Sequence, residues 1–198
     1  PLPLPRLDCS GGVPSGARTM VIVPSMLTSA ATAQRLVDQL EVHAQGNQDA
    51  LVHFALLTDF PDAAAPSLPG EEQVLAVAVA GIEALNARHA PATGDRFFLF
   101  HRARKWNDRE GVWMGWERKR GKIDEFNRLL RGAIDTSYAL QAGQISILPT
   151  IRYCITLDSD TRLPRDTAQQ LIGIIEHPLN RPRFDAAQQR VVSGYGIL

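Results

Sequence analysis

Two carboxylates, Asp158 and Asp160, close the run YCITLDSD and have the spacing that points most directly to chemistry. The apolar, β-prone residues before them predict a buried strand. Because alternate strand positions face the same way, both carboxylates can point at one spot just past the strand end. Carboxylates this close repel each other unless a cation or a shared proton lies between them. Oxygen ligands of this kind suit Mg²⁺ or Mn²⁺ carrying substrate phosphates.

A second interpretation of the same residues needs no ligand. Asp-Ser-Asp-Thr is typical of turns and helix N-caps, and Pro164 and Asp166 indicate that a helix starts soon afterwards. An Asp-x-Asp pair is also common by chance. On these residues alone, a capped turn and a metal–diphosphate site stay equally open, and the rest of the chain must distinguish them.

The composition is typical of a globular protein and limits the classes of partner. Of the 198 residues, 44% are hydrophobic and 21% are charged, which allows one substantial core. The formal net charge is zero, which argues against a nucleic-acid partner. Cys9 and Cys154 show no metal-ligand spacing and favour a reducing compartment. No apolar run approaches the ~20 residues of a membrane-spanning helix, so we expect this segment itself to be soluble.

Strands and helices are predicted to alternate after a proline-rich start. Residues 1–17 are predicted to be a lead-in or linker, and residues 18–198 a domain. Short apolar runs predict strands at residues 19–24, 51–58, 97–101 and 151–157, with another beginning at Val191 and Val192. Helical spacing predicts helices after a cap at Thr28 or Ser29 and at residues 71–88, 122–131 and 165–176. This order predicts an α/β fold with a mostly parallel sheet flanked by helices.

Polar residues gather where the predicted strands end. Pro24 and Ser25 follow the first strand, Asp59 follows the second, and Asp158 and Asp160 follow the fourth. Because parallel strands bring their carboxyl ends to one edge of a sheet, we expect these residues to share a crevice. In such a crevice Asp59 can accept a hydrogen bond from a nucleotide base or a ribose hydroxyl. The alternative for Asp59 is a simple Asp-Phe-Pro-Asp turn.

A basic run, WERKRGK, is predicted to be a loop that precedes a helix. Its cations, among them Arg120 and Lys122, can neutralise a diphosphate, and the helix N-terminus would add backbone donors. The alternative is a solvated basic turn. Trp106, Trp113 and Trp116 are the only tryptophans and lie in or beside this loop. They indicate an aromatic lining for a sugar or base, or a small satellite core.

Other motifs and the histidines add little. The five histidines share no spacing and are predicted to be structural or surface residues. The sequence contains no P-loop, no G-x-G-x-x-G and no G-x-S-x-G. The usual NTPase, dinucleotide-binding and hydrolase interpretations are therefore removed.

Six segments taken together resemble one family. They are VIVPSMLTS, HFALLTDFPDA, FFLFHRARKWNDREGVWMGWERKRGK, YCITLDSDTRLPRD, HPLNRPRFD and GYGIL. This succession resembles the glycosyltransferase domain of cyclic β-1,2-glucan synthases over essentially the whole chain, and GVWMGWERKRGK and HPLNRPRFD are its most specific parts. The resemblance implies the N-terminal part of a GT-A fold, the Rossmann-like fold of nucleotide-diphospho-sugar transferases.

The resemblance also implies an activity and a setting. Such enzymes transfer glucose from UDP-glucose to a growing β-1,2-glucan with inversion, assisted by Mg²⁺ or Mn²⁺. The parent would be a multi-pass protein with this segment on the cytoplasmic face of the bacterial inner membrane. The family's general base and its Q-x-x-R-W motif do not appear by Leu198, so we expect no polymerisation by this segment alone. A noncatalytic glucan- or partner-binding module and another nucleotide-sugar transferase remain alternatives.

The resemblance assigns roles to individual residues. The implied nucleotide-sugar contacts are Pro24, Ser25, Asp59, Arg120, Lys122 and Asp158, with Asn127 on the helix that follows the basic run. Asp160 is expected to hold the metal ion. Asp158 is expected to bind either the metal ion or the ribose. No catalytic base is assigned.

Overall fold

A five-stranded sheet with helices on both faces forms the body of the protein. The computed structural model describes residues 3–89 and 94–198. The main elements, in chain order, are β1 (Thr19–Met26), α1 (Ala30–Gly46), β2 (Val52–Asp59), α2 (Glu71–His89), β3 (Phe97–Arg102), β4 (Lys105–Asn107), β5 (Val112–Met114), α3 (Arg118–Leu130), β6 (Tyr138–Ala142), β7 (Tyr153–Thr156), α4 (Thr167–Glu176), β8 (Arg183–Asp185) and β9 (Arg190–Ser193).

The strand order of the sheet is β6-β3-β2-β1-β7. β1 pairs in parallel with both β2 and β7, and β2 pairs in parallel with β3, whereas β6 runs antiparallel to β3. The predicted α/β fold with a mostly parallel, helix-flanked sheet is therefore confirmed. The parallel strands bring the carboxyl ends of β1, β2, β3 and β7 to one edge, as expected for alternating strands and helices.

Two apolar cores lie on opposite faces of the sheet because successive strand residues point to opposite sides. On one face α1, α2 and α4 pack against residues such as Val21, Phe54 and Leu99. On the other face α3 inserts Phe126 among residues such as Phe100. The predicted apolar stripe of α1 is buried, and Ser29 caps this helix by accepting a hydrogen bond from the Thr32 N–H at 3.1 Å. The cap and helix predictions for α1 are confirmed.

β1 is longer than predicted, because it does not stop at Pro24. It continues through Pro24 and Ser25 to Met26, in register with β2. The Leu157 N–H donates to the Ile22 carbonyl, so the backbone polar groups of Ile22 point toward β7. The backbone of Pro24, two residues further along β1, points to the same side. β7 ends at Thr156, so the missing N–H of Pro24 removes no hydrogen bond of the sheet.

β7, which precedes Asp158, was predicted to be a buried strand, and this is wrong in one respect. It lies at the edge of the sheet, and Tyr153, Cys154 and Ile155 are only half-buried while Thr156 is exposed. Only Leu157, just past the strand, is buried. The apolar run therefore predicted the strand correctly, but it did not show that the strand lies at the edge of the sheet.

Several short strands lie where the sequence predicted none. β4 and β5 form a hairpin within the tryptophan-containing segment, and β6 adds the antiparallel edge of the sheet. The strand expected at Val191 and Val192 is β9, but it pairs only with β8 in a separate hairpin.

The proline-rich start contacts the body of the protein. The Leu7 N–H donates to the Gly173 carbonyl of α4 at 2.9 Å, and Cys9, Val13 and Ala17 are buried. Residues 1 and 2 of this predicted lead-in lie outside the described residues. The division into a lead-in and a domain stays a prediction.

Within residues 3–89 and 94–198, no helix combines the length and the apolar character needed to cross a membrane.

Candidate functional site

A buried ion cluster occupies the carboxyl ends of the three neighbouring strands β1, β2 and β3. Arg102, the last residue of β3, binds both carboxylate oxygens of Asp59, the last residue of β2, with two 2.8 Å hydrogen bonds. Lys122 of α3 places its Nζ 3.1 Å from the Asp59 Oδ2 and donates to the Ser25 carbonyl at 2.6 Å. The structure therefore brings together Ser25, Asp59 and Lys122, three of the predicted site residues.

The charges of this cluster are balanced. Arg102 also approaches Glu125 of α3 at 3.4 Å, and Glu125 in turn accepts a hydrogen bond from the Ser137 hydroxyl. Two cations and two anions thus share a space with almost no solvent, since Asp59 is 3% exposed and Arg102 is 1% exposed. Charges buried in this way are tolerated only when they are paired and hydrogen-bonded.

Burial and pairing shift the pKa values of the two cations in opposite directions. Burial lowers the pKa of Lys122, and the nearby Asp59 carboxylate offsets only part of this effect. Burial also acts to lower the pKa of Arg102, but the hydrogen bonds and charge of Asp59 outweigh it, so its pKa is raised. Arg102 is therefore the fixed positive charge of the cluster.

This geometry bears on the role expected for Asp59. Both of its oxygens already bind Arg102, and Lys122 lies beside it, so its carboxylate holds two elements together. In the described structure Asp59 is a buried counter-ion rather than an exposed acceptor. Its contact with a uracil or ribose stays a prediction, and such a contact would have to share the carboxylate with Arg102.

The basic run does not form a loop before a helix, as predicted, but the first turns of α3 itself. The helix begins at Arg118, four residues before the predicted start, after Glu117 in a left-handed conformation with φ of 50°. A Cβ at Gly121 would lie 1.9 Å from the Trp116 carbonyl oxygen, so glycine is needed there for close approach. The predicted helix start was wrong because Gly121 does not break the helix. It lies inside α3, where it permits close packing against Trp116.

The helical geometry separates the basic side chains of α3. Lys119 and Lys122 lie three residues apart and reach toward the strand ends, where Lys119 pairs with Asp158 and Lys122 with Asp59. Arg120, in contrast, is largely exposed, and its only nearby carboxylate among the described ion pairs is Glu117 at 3.7 Å. Arg120 lines an open cleft of about 600 Å³ with Lys119 and Asn127.

The carboxylates that follow β7 are exposed on a turn. The turn is closed by the Thr161 N–H, which donates to the Asp158 carbonyl at 2.9 Å. The Asp158 side chain pairs with Lys119, and Asp160 is exposed. The turn interpretation is thus correct for the backbone, yet neither carboxylate caps α4, whose N-cap Asp166 makes no side-chain cap. Both carboxylates therefore remain accessible to a ligand.

The chemistry of this donor set fits a magnesium or manganese ion. Mg²⁺ keeps several waters and is bound by one or two carboxylates together with substrate phosphates. Asp158 and Asp160 can supply those carboxylates, and Lys119 and Arg120 lie on the adjacent helix. Within the part of the chain that the structure describes, no three His, Cys, Asp or Glu side chains converge on one point. A metal here would thus depend on the phosphates for further ligands.

Sequence reasoning missed Arg102, which organises the whole cluster. A signal was present, because Asp59 and Arg102 end neighbouring apolar strands and a buried carboxylate needs a counter-ion. The parallel register of β2 and β3 pairs Thr58 with His101, which puts the next two residues side by side. That register could not be read without knowing which strands are neighbours.

Comparison with known proteins gives one similarity that covers nearly all of this chain. The chain is 46% identical over 187 residues to the cyclic beta-(1,2)-glucan synthase NdvB of Rhizobium meliloti (strain 1021), a match that covers 94% of the chain. The chain spans only about 6% of the length of that protein. No family model matches the chain. The resemblance noted in the sequence is therefore confirmed as similarity to a small part of a cyclic beta-glucan synthase.

Proposed function

We propose that this chain is the nucleotide-sugar-binding part of a glycosyltransferase with a GT-A type fold. The observation that carries the proposal is the 46% identity, over 94% of the chain, to a cyclic beta-(1,2)-glucan synthase. We further propose UDP-glucose as the donor and a growing β-1,2-glucan as the acceptor, as the resemblance to cyclic β-1,2-glucan synthases implies. The same similarity underlies the proposal that the parent protein is membrane-embedded, with this part on the cytoplasmic side of a bacterial inner membrane.

The arrangement at the strand ends supports donor binding there. Ligands of open α/β sheets bind outside the carboxyl ends of the strands, where Asp158, Asp160 and the first turns of α3 lie. Lys119 and Arg120 are exposed and cationic, so they are available to a diphosphate. Lys122 is 4% exposed and serves mainly to hold Asp59 and the end of β1 in place.

The proposed reaction is an inverting displacement. The acceptor 2-hydroxyl attacks the anomeric carbon of glucose, the bond from that carbon to the diphosphate oxygen breaks, and UDP leaves with the electron pair. A divalent metal, when bound, supplies positive charge that stabilises the diphosphate leaving group. Asp158 and Asp160 would hold it, and Lys119, which pairs with Asp158, would be placed to contact a phosphate oxygen. The proton of the acceptor goes to a base outside the residues to which we assign a role.

Calorimetric titration with UDP, in the presence and absence of Mn²⁺, tests the proposal. We expect binding to require Mn²⁺ and to weaken at least about tenfold, or ~1.4 kcal/mol, in Asp160→Asn. The matched control is Asp38→Asn, which neutralises an exposed carboxylate on α1 and should leave the affinity unchanged.

Three results would contradict the proposal. The first is UDP binding that needs no metal and is the same in Asp160→Asn as in the unmodified chain. The second is stronger binding of another nucleotide sugar, such as GDP-mannose, in competition with UDP-glucose, which would indicate a different transferase. A chain that binds β-glucan but never UDP would be a noncatalytic binding module.

A further inference from the structure

We propose that the cleft between the β4–β5 hairpin and the start of α3 is a separate site for a neutral oligosaccharide, and specifically for a β-glucan chain. That the ligand is a carbohydrate follows from the chemistry of the cleft. That it is a β-glucan rests on the proposed function. The cleft has a volume of about 820 Å³ and does not include Asp158 or Asp160. Its size lies within the ~300–1,000 Å³ typical of ligand sites.

The first argument is the exposure of two indole rings. Trp106 is 50% exposed and Trp116 is 45% exposed, and both line the cleft. Large aromatic side chains usually lie in a core, and exposed ones that line the same cleft indicate a binding surface. The flat apolar face of an indole packs against the C–H face of a pyranose, while the polar groups around it can bind the hydroxyls.

The second argument is the charge of the cleft. Its lining holds four cationic residues, Lys105, Arg109, Arg118 and Arg128, and four anionic residues, Asp108, Glu110, Glu117 and Glu125. A cleft for nucleic acid or for another polyanion would have an excess of cations. Equal numbers of cationic and anionic side chains suit a neutral ligand that both donates and accepts hydrogen bonds, as a chain of glucose units does.

The third argument is that the aromatic surface is held in place before any ligand binds. The Trp106 Nε1–H donates to the Asp108 carboxylate at 2.8 Å, and the Trp106 ring lies 6.0 Å from that of Trp113. Trp113 and Ala63 exchange two backbone hydrogen bonds of 2.9 Å, which anchor the hairpin to the loop after β2. A preformed surface loses less conformational freedom when it binds.

The carbonyl of Trp116 connects the cleft to the buried cluster. It accepts a hydrogen bond from the Arg102 guanidinium at 3.0 Å. Arg102 thereby fixes the backbone that carries one of the two exposed indoles. The cleft and Lys119, which pairs with Asp158, lie on elements held by the same buried arginine, as expected if a glucan chain and a sugar donor are to be bound by one domain.

Titration with a linear β-1,2-linked gluco-oligosaccharide, without nucleotide or metal, tests the inference. All three tryptophans lie in this region, so their fluorescence reports binding directly, and calorimetry gives the affinity. We expect Trp106→Ala and Trp116→Ala each to weaken binding about tenfold or more, and Trp106→Phe to retain most of it. Phe184→Ala, which removes an exposed aromatic ring from β8, is the control and should have no effect.

The outcomes separate this inference from the proposed function. If the chain binds UDP with Mn²⁺ but not the oligosaccharide, or if both tryptophan variants bind the oligosaccharide normally, the cleft proposal is wrong and the donor site stands. If the oligosaccharide binds through the tryptophans and UDP never binds, the cleft stands and the proposed function is wrong. Circular dichroism confirms that each variant is folded, which the exposure of both rings leads us to expect.

Discussion

The protonation state of the buried residue His53 is determined by the groups around it. The guanidinium of Arg18 can only donate, so the His53 Nε2 at 3.0 Å must accept, and the other ring nitrogen donates to the Asp95 carbonyl at 3.2 Å. This arrangement requires the neutral imidazole. Burial, with Arg18 as the next cause, lowers the pKa of His53 to about 4. The sequence predicted the histidines to be structural or surface residues, and His53 is a structural one.

The first prediction concerns stability against pH. In the unfolded chain His53 titrates near its ordinary pKa of ~6.5, so between about pH 6.5 and 4 the unfolded state binds more protons than the folded state. We therefore expect the free energy of unfolding to fall as the pH is lowered through this window. Burial also lowers the pKa of His101 to about 4, so His101 contributes to the same trend.

Urea unfolding at several pH values between 4 and 7.5 measures this dependence. His53→Gln should be less stable at pH 7 but should show a shallower decline toward pH 4, because one of the lowered histidine pKa values is gone. A decline of unchanged slope in His53→Gln would contradict the assignment of this residue.

Among the elements, the start of α3 depends on one arginine from the sheet. The Arg102 guanidinium donates to the carbonyls of Trp116 and Arg118, which flank the left-handed residue Glu117, and binds Asp59 at the same time. The Trp116 carbonyl precedes α3, which begins at Arg118, and Arg102 gives this carbonyl a partner inside the protein. The position of Lys119 and Arg120 therefore depends on the hydrogen bonds that Arg102 donates to the backbone just before them.

The second prediction is that loss of Arg102 destabilises the protein far more than loss of an exposed arginine. Arg102→Met leaves Asp59 and Glu125 buried without their main counter-ion, which costs ~3–5 kcal/mol of unfolding free energy. Arg102→Lys keeps the charge but not the paired hydrogen bonds, so we expect an intermediate loss.

The control is Arg88→Met, which removes an exposed ion pair with Glu41 and should cost only ~0–1 kcal/mol. Urea midpoints give the comparison, and hydrogen exchange of the α3 amides shows whether the first turn loosens. Equal midpoints for Arg102→Met and Arg88→Met would show that the buried cluster does not hold α3.

The elements that the sequence predicted are those with a strong local pattern. The apolar stripe of α1 predicts a helix, and the apolar run of β3 predicts a strand, without reference to the rest of the chain. β6, with the sequence YALQA, carries only a short alternation, and the hairpin strands β4 and β5 have three residues each. Elements this short are stabilised mainly by their neighbours, so no local pattern could reveal them.

The candidate site was predictable to a similar extent. Strand-end logic identified Asp59 and Asp158 correctly as strand-end residues on one edge of the sheet. It could not show that Asp59 is covered by Arg102, or that Lys119, and not Arg120, contacts Asp158. Those details depend on the register of β2 against β3 and on where α3 starts, which are both set by tertiary contacts.

At the scale of the whole molecule, one buried asparagine joins the first half of the sequence to the last. Asn47, at the end of α1, donates to the Pro164 carbonyl at 3.1 Å and accepts from the Ala168 N–H of α4 at 2.9 Å. It thereby caps α4, whose own N-cap residue, Asp166, makes no side-chain capping hydrogen bond. Its backbone carbonyl accepts from Arg96, which lies just before β3. One residue therefore connects α1, α4 and the middle of the sheet.

The last prediction follows from this connection. Asn47→Ala leaves the Pro164 carbonyl and the Ala168 N–H without their partner inside the protein, which costs ~1–3 kcal/mol. Because the interactions of the β1–β2–β3 sheet do not involve the Asn47 side chain, we expect hydrogen exchange to accelerate in α4 and in the N-terminal segment that contacts it, while β2 and β3 remain protected.

Gln34→Ala, an exposed change on the same helix, serves as the control and should alter neither region. If Asn47→Ala accelerated exchange equally in α4 and in β2, the whole molecule would open as a single unit. In that case α4, and with it the far end of the exposed turn with Asp158 and Asp160, which lies between β7 and α4, would not open separately from the sheet. If only α4 and the N-terminal segment respond, that turn can adjust to a ligand while the buried cluster around Asp59 stays in place.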